Sequence, residues 1–286
     1  MTDLTVVIVN FNAGPLLADG VARVREARGD QCWDLIVVDN ASTDDSLEPL
    51  LGASDVRVIR NADNRGFGAA CNQGAQAGDA PWVLFLNPDC ALVAGVVEHL
   101  AVEATRHPTC VAVGPRIDDP DGAVQGSARG DPDLLAGVAG RTSWLARVLP
   151  GSAVVARHVV WPERVPAGAS SIAVDWVSGA CLLVRRAALE TAGGFDPGYF
   201  LYWEDADLCR RLRLGGGSVR YAPGVRVRHL VGQSSRRAPE LALRAFHASA
   251  YRYYTIWKAP NPWDPRRLIA RTLLALRLRV KLARSR

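Results

Sequence analysis

A chain of 286 residues that is 49% hydrophobic and 22% charged is long enough to bury a full core and too apolar to stay disordered. It has no run of the roughly 20 apolar residues that a membrane span needs, and its opening, MTDLTVVIVN, lacks the basic flank and cleavage site of a signal peptide, so a cytoplasmic protein is expected. The net charge of +5 belongs to one end, because Arg266, Arg267, Arg271, Arg277, Arg279, Lys281, Arg284 and Arg286 follow Asp264 with no acid among them.

Short runs rich in Val and Ile come first: LTVVIVN, DLIVVDN, VRVIRN, WVLFLN and CVAVGPRI, separated by stretches at 15–28, 66–78 and 91–106 that suit helices. This alternation predicts an α/β domain with a mainly parallel, Rossmann-like sheet, and the unbroken apolar runs predict helices on both of its faces. Residues 118–173 break the rhythm with Gly, Pro and Asp around a predicted helix at 132–148, which reads as an insertion over the site. Two further strand segments, VDWVSGACLLVRR and VRYAPGVRVRHL, bracket the polar block FDPGYFLYWEDADLCRRLR. Beyond residue 238 the pattern is helical, with a Pro-rich break at 260–265. The expected division is therefore a catalytic domain over 1–237 and a helical extension over 238–286. Six cysteines form no C-x-x-C pair and are expected to be reduced and structural.

The strand runs end on polar residues: Asn10, Asp39-Asn40, Asn61 and Asn87-Pro88-Asp89. That is the carboxyl edge, where open α/β sheets bind ligands. Asp39 and Asn40 suit the edge of a pyrimidine, although turn chemistry explains such residues too. The loop NADNRGFGAACNQG sets Asn64 and Gly66 before a helix whose free N–H groups favour phosphate, while close packing is the plainer use of the glycine. Asp89 is the kind of carboxylate that joins substrate phosphates around Mg²⁺ or Mn²⁺, and Asn87 adds a neutral oxygen; an Asn-Pro-Asp turn that only ends a strand is the competing reading. In YWEDADLCRRLR the acids match a helix N-terminus, and Asp207 with Arg211 makes an i, i+4 pair. Helix stabilisation leaves Trp203, Glu204 and Asp205 unexplained, and aromatic residues around a carboxylate make a semi-dry pocket fit for a general base. His229, after the last strand, is either a structural hydrogen-bonding group or a metal ligand.

The series VVIVNFN, IVVDNASTDDS, NRGFGAACNQG, FLNPD, VSGACLLVRR, GGFDPGYFLYWEDADLCRRLR and HLVGQS resembles, in order and over about residues 4–235, the family 2 glycosyltransferases of GT-A fold. It looks most like their rhamnosyltransferase-like group, which builds bacterial surface polysaccharides. The resemblance implies an inverting transfer of a sugar, L-rhamnose before others, from a dTDP-rhamnose-like donor to a lipid-linked or glycan acceptor. It implies that Asn10, Asn12, Asp39, Asn40 and Asn64 line the nucleotide pocket, and that Asn87-Pro88-Asp89 stands for the D-x-D metal motif with Asn in place of its first carboxylate. Asp205 then matches the catalytic base and His229 a residue completing the metal site, while Trp203 and Glu204 shape the acceptor side.

The Arg-rich tail interleaves Leu, Ile and Val, which predicts a basic amphipathic helix lying on anionic lipid at the inner face of the membrane, or packed on the domain. Two other functions stay open. A GT-A module without activity fits the carboxylate missing at Asn87. A nucleic-acid-binding protein fits the pI of 9.0, but the aromatic residues lie beside acids rather than arginines, so no nucleic-acid partner is expected.

Overall fold

The structure, a computed structural model, describes residues 3–132, 159–229 and 239–284. Strand β1 (Leu4–Asn10) is buried at all seven positions, because its side chains enter two cores in alternation. Leu4, Val6 and Ile8 pack with Leu17, Val21 and Val24 of α1 (Pro15–Arg28). Val7 and Val9 pack with Ala70, Cys71 and Ala75 of α2 (Phe67–Ala77) on the other face. A strand covered on both faces is apolar except where a buried polar side chain has a partner, as Thr5 has in Arg186, and each fully buried Val or Ile contributes roughly 1.5–3 kcal/mol.

Four parallel neighbours form one half of the sheet: β3 (Val56–Arg60), β2 (Trp33–Asp39), β1 and β4 (Trp82–Leu86). Their carboxyl ends therefore share an edge. The sheet continues from β4 through β10 (Cys181–Arg185), β6 (Cys110–Asp118) and β11 (Ser218–His229). β10 runs antiparallel to β4 and β6, whereas β6 and β11 are parallel. On the far edge of β11 lie β5 (Cys90–Ala91) and β8 (Ile172–Val174), both antiparallel. This is the mixed, mainly parallel GT-A sheet. Helices α3 (Val96–Arg106), α4 (Arg186–Thr191) and α5 (Glu204–Leu214) complete its layers.

Three local expectations change. The helix predicted from residue 91 starts at Val96, because Cys90 and Ala91 pair with β11 and Gly95 turns at φ 84°. VDWVSGACLLVRR is three short strands, β8, β9 (Trp176–Val177) and β10, interrupted at Ser178-Gly179-Ala180, and β9 leaves the main sheet to pair with β7 (Ala128–Arg129). VRYAPGVRVRHL stays one strand by taking up a register shift between Ala222 and Arg226, and β6 separates it from β10. The helix expected at 132–148 falls, from 133 on, outside the described residues. All six cysteines are free and five are buried.

The C-terminal helices are tied to α5. Asp207, 2% exposed, accepts from the Trp257 indole of α6 (Pro239–Trp257) at 2.7 Å and from Arg211 at 2.8 Å. Arg252 pairs with Asp196 at 2.6 Å, and Ser249 donates to the Leu201 carbonyl at 2.9 Å. Asp131 gathers Arg210, Arg213, Lys258 and the Tyr253 hydroxyl. Helix α7 (Arg266–Arg284) buries Ala270 and Leu274, with Arg277 over the Phe246 ring of α6. Removing one partner of a buried ion pair strands the other charge, so Asp207→Ala is expected to cost about 3 kcal/mol in urea unfolding. A midpoint equal to that of the unaltered chain would mean that ring packing alone holds α6.

Candidate active site

At the carboxyl edge of the sheet, the backbone turns sharply as β1 and β2 end. Asn12 and Ala41 adopt φ 52° and 66°, and the other described non-glycine residues with positive φ are Tyr202 and Trp203. All four belong to the site, where strain of about 1–3 kcal/mol each is held by surrounding contacts. Asn10 is fully buried and its amide donates to Asp39 Oδ1 at 2.8 Å and to Ser46 Oγ at 2.8 Å. Asn12 Oδ1 accepts from the Thr43 N–H, and its own N–H donates to Ser42. Asn40, 2% exposed, donates to Asn64 Oδ1 and Gly66 O and accepts from Asn61 and the Arg65 N–H. Asp39 borders an open cleft of 470 Å³ lined also by Ala41, Ser42, Arg60 and Asn61. Gly66 sits at φ 84°, where a Cβ would come within 2.5 Å of the Phe200 carbonyl. The Phe67 N–H is bonded to that same carbonyl at 2.9 Å.

Around Asp89, two distant segments meet. The pairing of β5 with β11 sets His229 opposite Cys90, which brings His229 Nε2 to 3.0 Å from Asp89 Oδ1 and 3.3 Å from Asn87 Nδ2. Both Asp89 and His229 are about a tenth exposed, at 10% and 11%. Cys90 completes the one group of metal-ligating side chains among the described residues, but its thiol donates to the Ala180 carbonyl and burial pushes its pKa far up. A protonated thiol is a poor ligand, whereas the Asp89 carboxylate suits Mg²⁺ or Mn²⁺ and the His229 nitrogen, a borderline donor, suits Mn²⁺ better than Mg²⁺. The donor set therefore fits a divalent cation, Mn²⁺ before Mg²⁺.

The third group is Asp205, on the first turn of α5. Its Oδ2 accepts from the Gly179 N–H at 3.0 Å and its Oδ1 from the Ala206 N–H at 2.8 Å. Burial raises its pKa above 3.8, against those two N–H groups and the Arg129 charge, which lower it. A raised carboxyl pKa is what a general base needs. Glu204 points the other way, under α2 beside Gly68 and Cys71, 5% exposed with Oε2 unpartnered. Burial first, then the Asp205 charge, pushes its pKa well up.

The turn at Asp89 and the Asp205 carboxylate share one dipeptide. Ala180 O accepts from the Asn87 N–H at 2.9 Å, and the adjoining Gly179 N–H donates to Asp205. Models of the families "Glycosyl transferase family 2" and "Glycosyl transferase family group 2" match residues 5–141 and 164–284. An N-acetylglucosaminyl-diphospho-decaprenol L-rhamnosyltransferase of Mycobacterium tuberculosis is 35% identical over 308 aligned positions that span 100% of this chain and 97% of that protein. The chain belongs to the family 2 glycosyltransferases. Rhamnosyltransferase WbbL of Escherichia coli is 39% identical over 84 residues, 29% of this chain and 32% of its own. The crystal structure of GalNAc-T7 with UDP, GalNAc and Mn²⁺ shares the GT-A fold at a TM-score of 0.62 and 21% identity, covering 89% of this chain and 50% of that one.

In this glycosyltransferase the structure brings Asp39, Asp89, Asn87, His229 and Asp205 to one edge of the sheet. Asn10 and Asn40 are there too, but their amides are spent on protein partners, so they shape the loops at that edge rather than project into the cleft. Glu204 is sealed under α2 instead of facing an acceptor. Trp203 packs between Phe246 and Tyr253, with ring centroids 5.8 and 5.5 Å away, and so holds the entry to α5. Gln125 and Arg129 were not foreseen, since nothing periodic marks them within the Gly-rich insertion. Gly179 left one signal, a lone glycine inside an apolar run.

A carboxyl whose pKa rises on folding adds stability below its ordinary value, 4.5 for Glu204, and loses it as pH climbs through the raised value. Melting temperature is thus expected to fall toward alkaline pH, and Glu204→Gln to flatten that fall. Identical pH profiles for both proteins would remove Glu204 as its source.

Proposed function

We propose that this glycosyltransferase moves L-rhamnose from dTDP-rhamnose to the sugar of a polyprenyl-diphosphate-linked acceptor, with inversion, at the cytoplasmic face of the cell membrane in envelope glycan synthesis. The observation that carries the reading is the tie through Gly179-Ala180 of the Asp89 turn to Asp205. The choice of substrates is supported by the end-to-end likeness to the mycobacterial rhamnosyltransferase.

Asp39, at the cleft wall, is suited to accept from a pyrimidine N–H. Asp205 takes the proton of the acceptor hydroxyl as that oxygen attacks the anomeric carbon. The bond from that carbon to the diphosphate oxygen breaks on the opposite face, and the electron pair leaves with the diphosphate. When bound by Asp89 and His229, Mg²⁺ or Mn²⁺ supplies the positive charge that offsets the leaving diphosphate. Asn87, neutral where the family motif has an acid, would bring a hydrogen-bonding amide and no charge of its own to that site. Gln125 and Arg129, from the described part of the 118–173 segment, stand beside His229 and Asp205.

Helix α7 supports the membrane part of the proposal. Ala270 and Leu274 face α6, while Ile269, Leu273, Leu276 and Val280 form a second apolar stripe at i, i+4, i+7 and i+11 that stands 41–57% exposed. Arg266 and Arg284 border it on one side and Arg279 on the other, and Trp263, 89% exposed, precedes it. An outward apolar stripe between cations fits the interface of an anionic bilayer, each charge adding about 1 kcal/mol.

Asp205→Asn is expected to lower rhamnosyl transfer about a thousandfold while dTDP still raises the melting temperature. Turnover equal to the unaltered enzyme removes the base, and transfer from UDP- or GDP-sugars but not dTDP-rhamnose removes the donor. Flotation with phosphatidylglycerol vesicles is expected at low salt and to be lost in the Leu273→Glu, Leu276→Glu double variant. Equal flotation of both proteins counts against the docking face.

A further inference from the structure

His229 is held from behind as well as from the front. Its Nε2 faces Asp89 and Asn87, while its Nδ1 lies 2.9 Å from Gln125 Oε1. The orientation of that amide is set by its other end. Gln125 Nε2 donates to Asp119 Oδ1 at 2.8 Å and to the His229 carbonyl at 2.9 Å. A carboxylate and a carbonyl only accept, so the NH₂ group must face them and the amide oxygen must face the ring. An oxygen 2.9 Å from Nδ1 requires a hydrogen on that nitrogen. Of the two ring nitrogens, Nε2 is then the one that can offer a lone pair to a cation, on the side where Asp89 and Asn87 face it.

From this geometry we infer that Gln125 is the positioning residue of the metal site: it locks His229 in the Nδ1–H tautomer, so that Nε2 presents its lone pair to a divalent cation beside Asp89. The inference rests on reading Asp89 and His229 as the ligands. One amide grips both the ring and the main chain of His229, which fixes the ring plane as well as the tautomer. Gln125 is 9% exposed, and its own N–H is bonded to the Ile117 carbonyl at the end of β6. The contact is thus built onto the sheet and not onto a free loop. A neutral amide also does this work without setting another negative charge against Asp89, the acid of the set being Asp119, one group further out.

The test uses the full chain, with Mn²⁺ added in the presence and absence of dTDP and the free ion followed by electron paramagnetic resonance. Gln125→Met keeps the length of the side chain and removes the acceptor. It is expected to weaken Mn²⁺ binding about tenfold or more, as loss of a partner behind a metal-binding imidazole does, with dTDP binding in the absence of metal unchanged. Gln125→Glu keeps an acceptor opposite Nδ1 while losing both donated bonds, and is expected to restore the affinity to within about threefold of the unaltered chain. Equal weakening in the two variants would make Gln125 only a tie between Asp119 and β11 and overturn the inference, as would unaltered affinity in Gln125→Met. His229→Ala tests the underlying reading: if it leaves Mn²⁺ affinity unchanged, His229 is no ligand and the inference falls with it, whereas loss of binding there beside unchanged binding in Gln125→Met sinks the inference alone.

Discussion

One pair of peptide groups carries the site. The carbonyl of Ala180 closes the turn that displays Asp89, and the N–H of Gly179 binds the carboxylate of Asp205. Residues 89 and 205 are far apart in sequence, yet their separation is set by the width of a dipeptide and two hydrogen bonds. The chain obtains this by breaking a strand: β9 leaves the sheet to pair with β7, and β10 enters it between β4 and β6. At the break the Ala180 carbonyl carries the β4–β10 register one residue further, onto Asn87, while the Gly179 N–H turns to Asp205. Backbone groups in such a place must find partners, and here the partners are the functional turns themselves.

A second constraint acts through β11. Its register shift after Ala222 lets one strand follow β6 for its whole length and still finish against β5, with His229 opposite Cys90. Bulges of this kind re-aim side chains at sheet rims. Asp89 and His229 therefore meet because a two-residue strand beyond the Asn-Pro-Asp turn is captured by the end of β11. The residues that follow β6 supply Gln125 and Arg129 at the same rim. Arg129 is stacked on Trp176 and offsets the rise of the Asp205 pKa, so the insertion touches both halves of the site.

The sheet was legible in the sequence because β1, β2 and β4 are buried along nearly their whole length and so read as apolar runs, while β3, nearer the edge, still keeps Val at alternate positions. Their polar ends marked the binding edge for the same reason: no buried strand keeps an Asn or Asp without a use. Which use was not legible. Asn10 and Asn40 look like Asp39 in a sequence, but only contacts across 21 to 36 residues reveal that their amides are consumed by Asp39, Ser46, Asn61 and Asn64. Glu204 and Asp205 are adjacent and chemically alike. Their opposite fates depend on the left-handed backbone at Tyr202 and Trp203, which turns the first carboxyl under α2 and the second toward Gly179. Neither residue is a glycine, so no residue type announced that turn.

That strained turn gives the C-terminal helices their place beside Asp205. Left-handed backbone at two aromatic residues costs free energy that something must offset. Helix α6 provides it: Ser249 holds the Leu201 carbonyl, Phe246 packs on Tyr202 and Trp203, and Tyr253 closes on Trp203 from the next turn. Two residues beyond the base, Asp207 receives the Trp257 indole from the end of the same helix. Helix α7 is packed on α6 through Ala270 and Leu274. On the proposed membrane reading, the face that meets lipid and the carboxylate that meets the acceptor hydroxyl are joined by two helix contacts and one buried acid. A lipid-linked sugar would then be offered to Asp205 at a height set by packing within this chain, so that docking and proton transfer depend on the same helix.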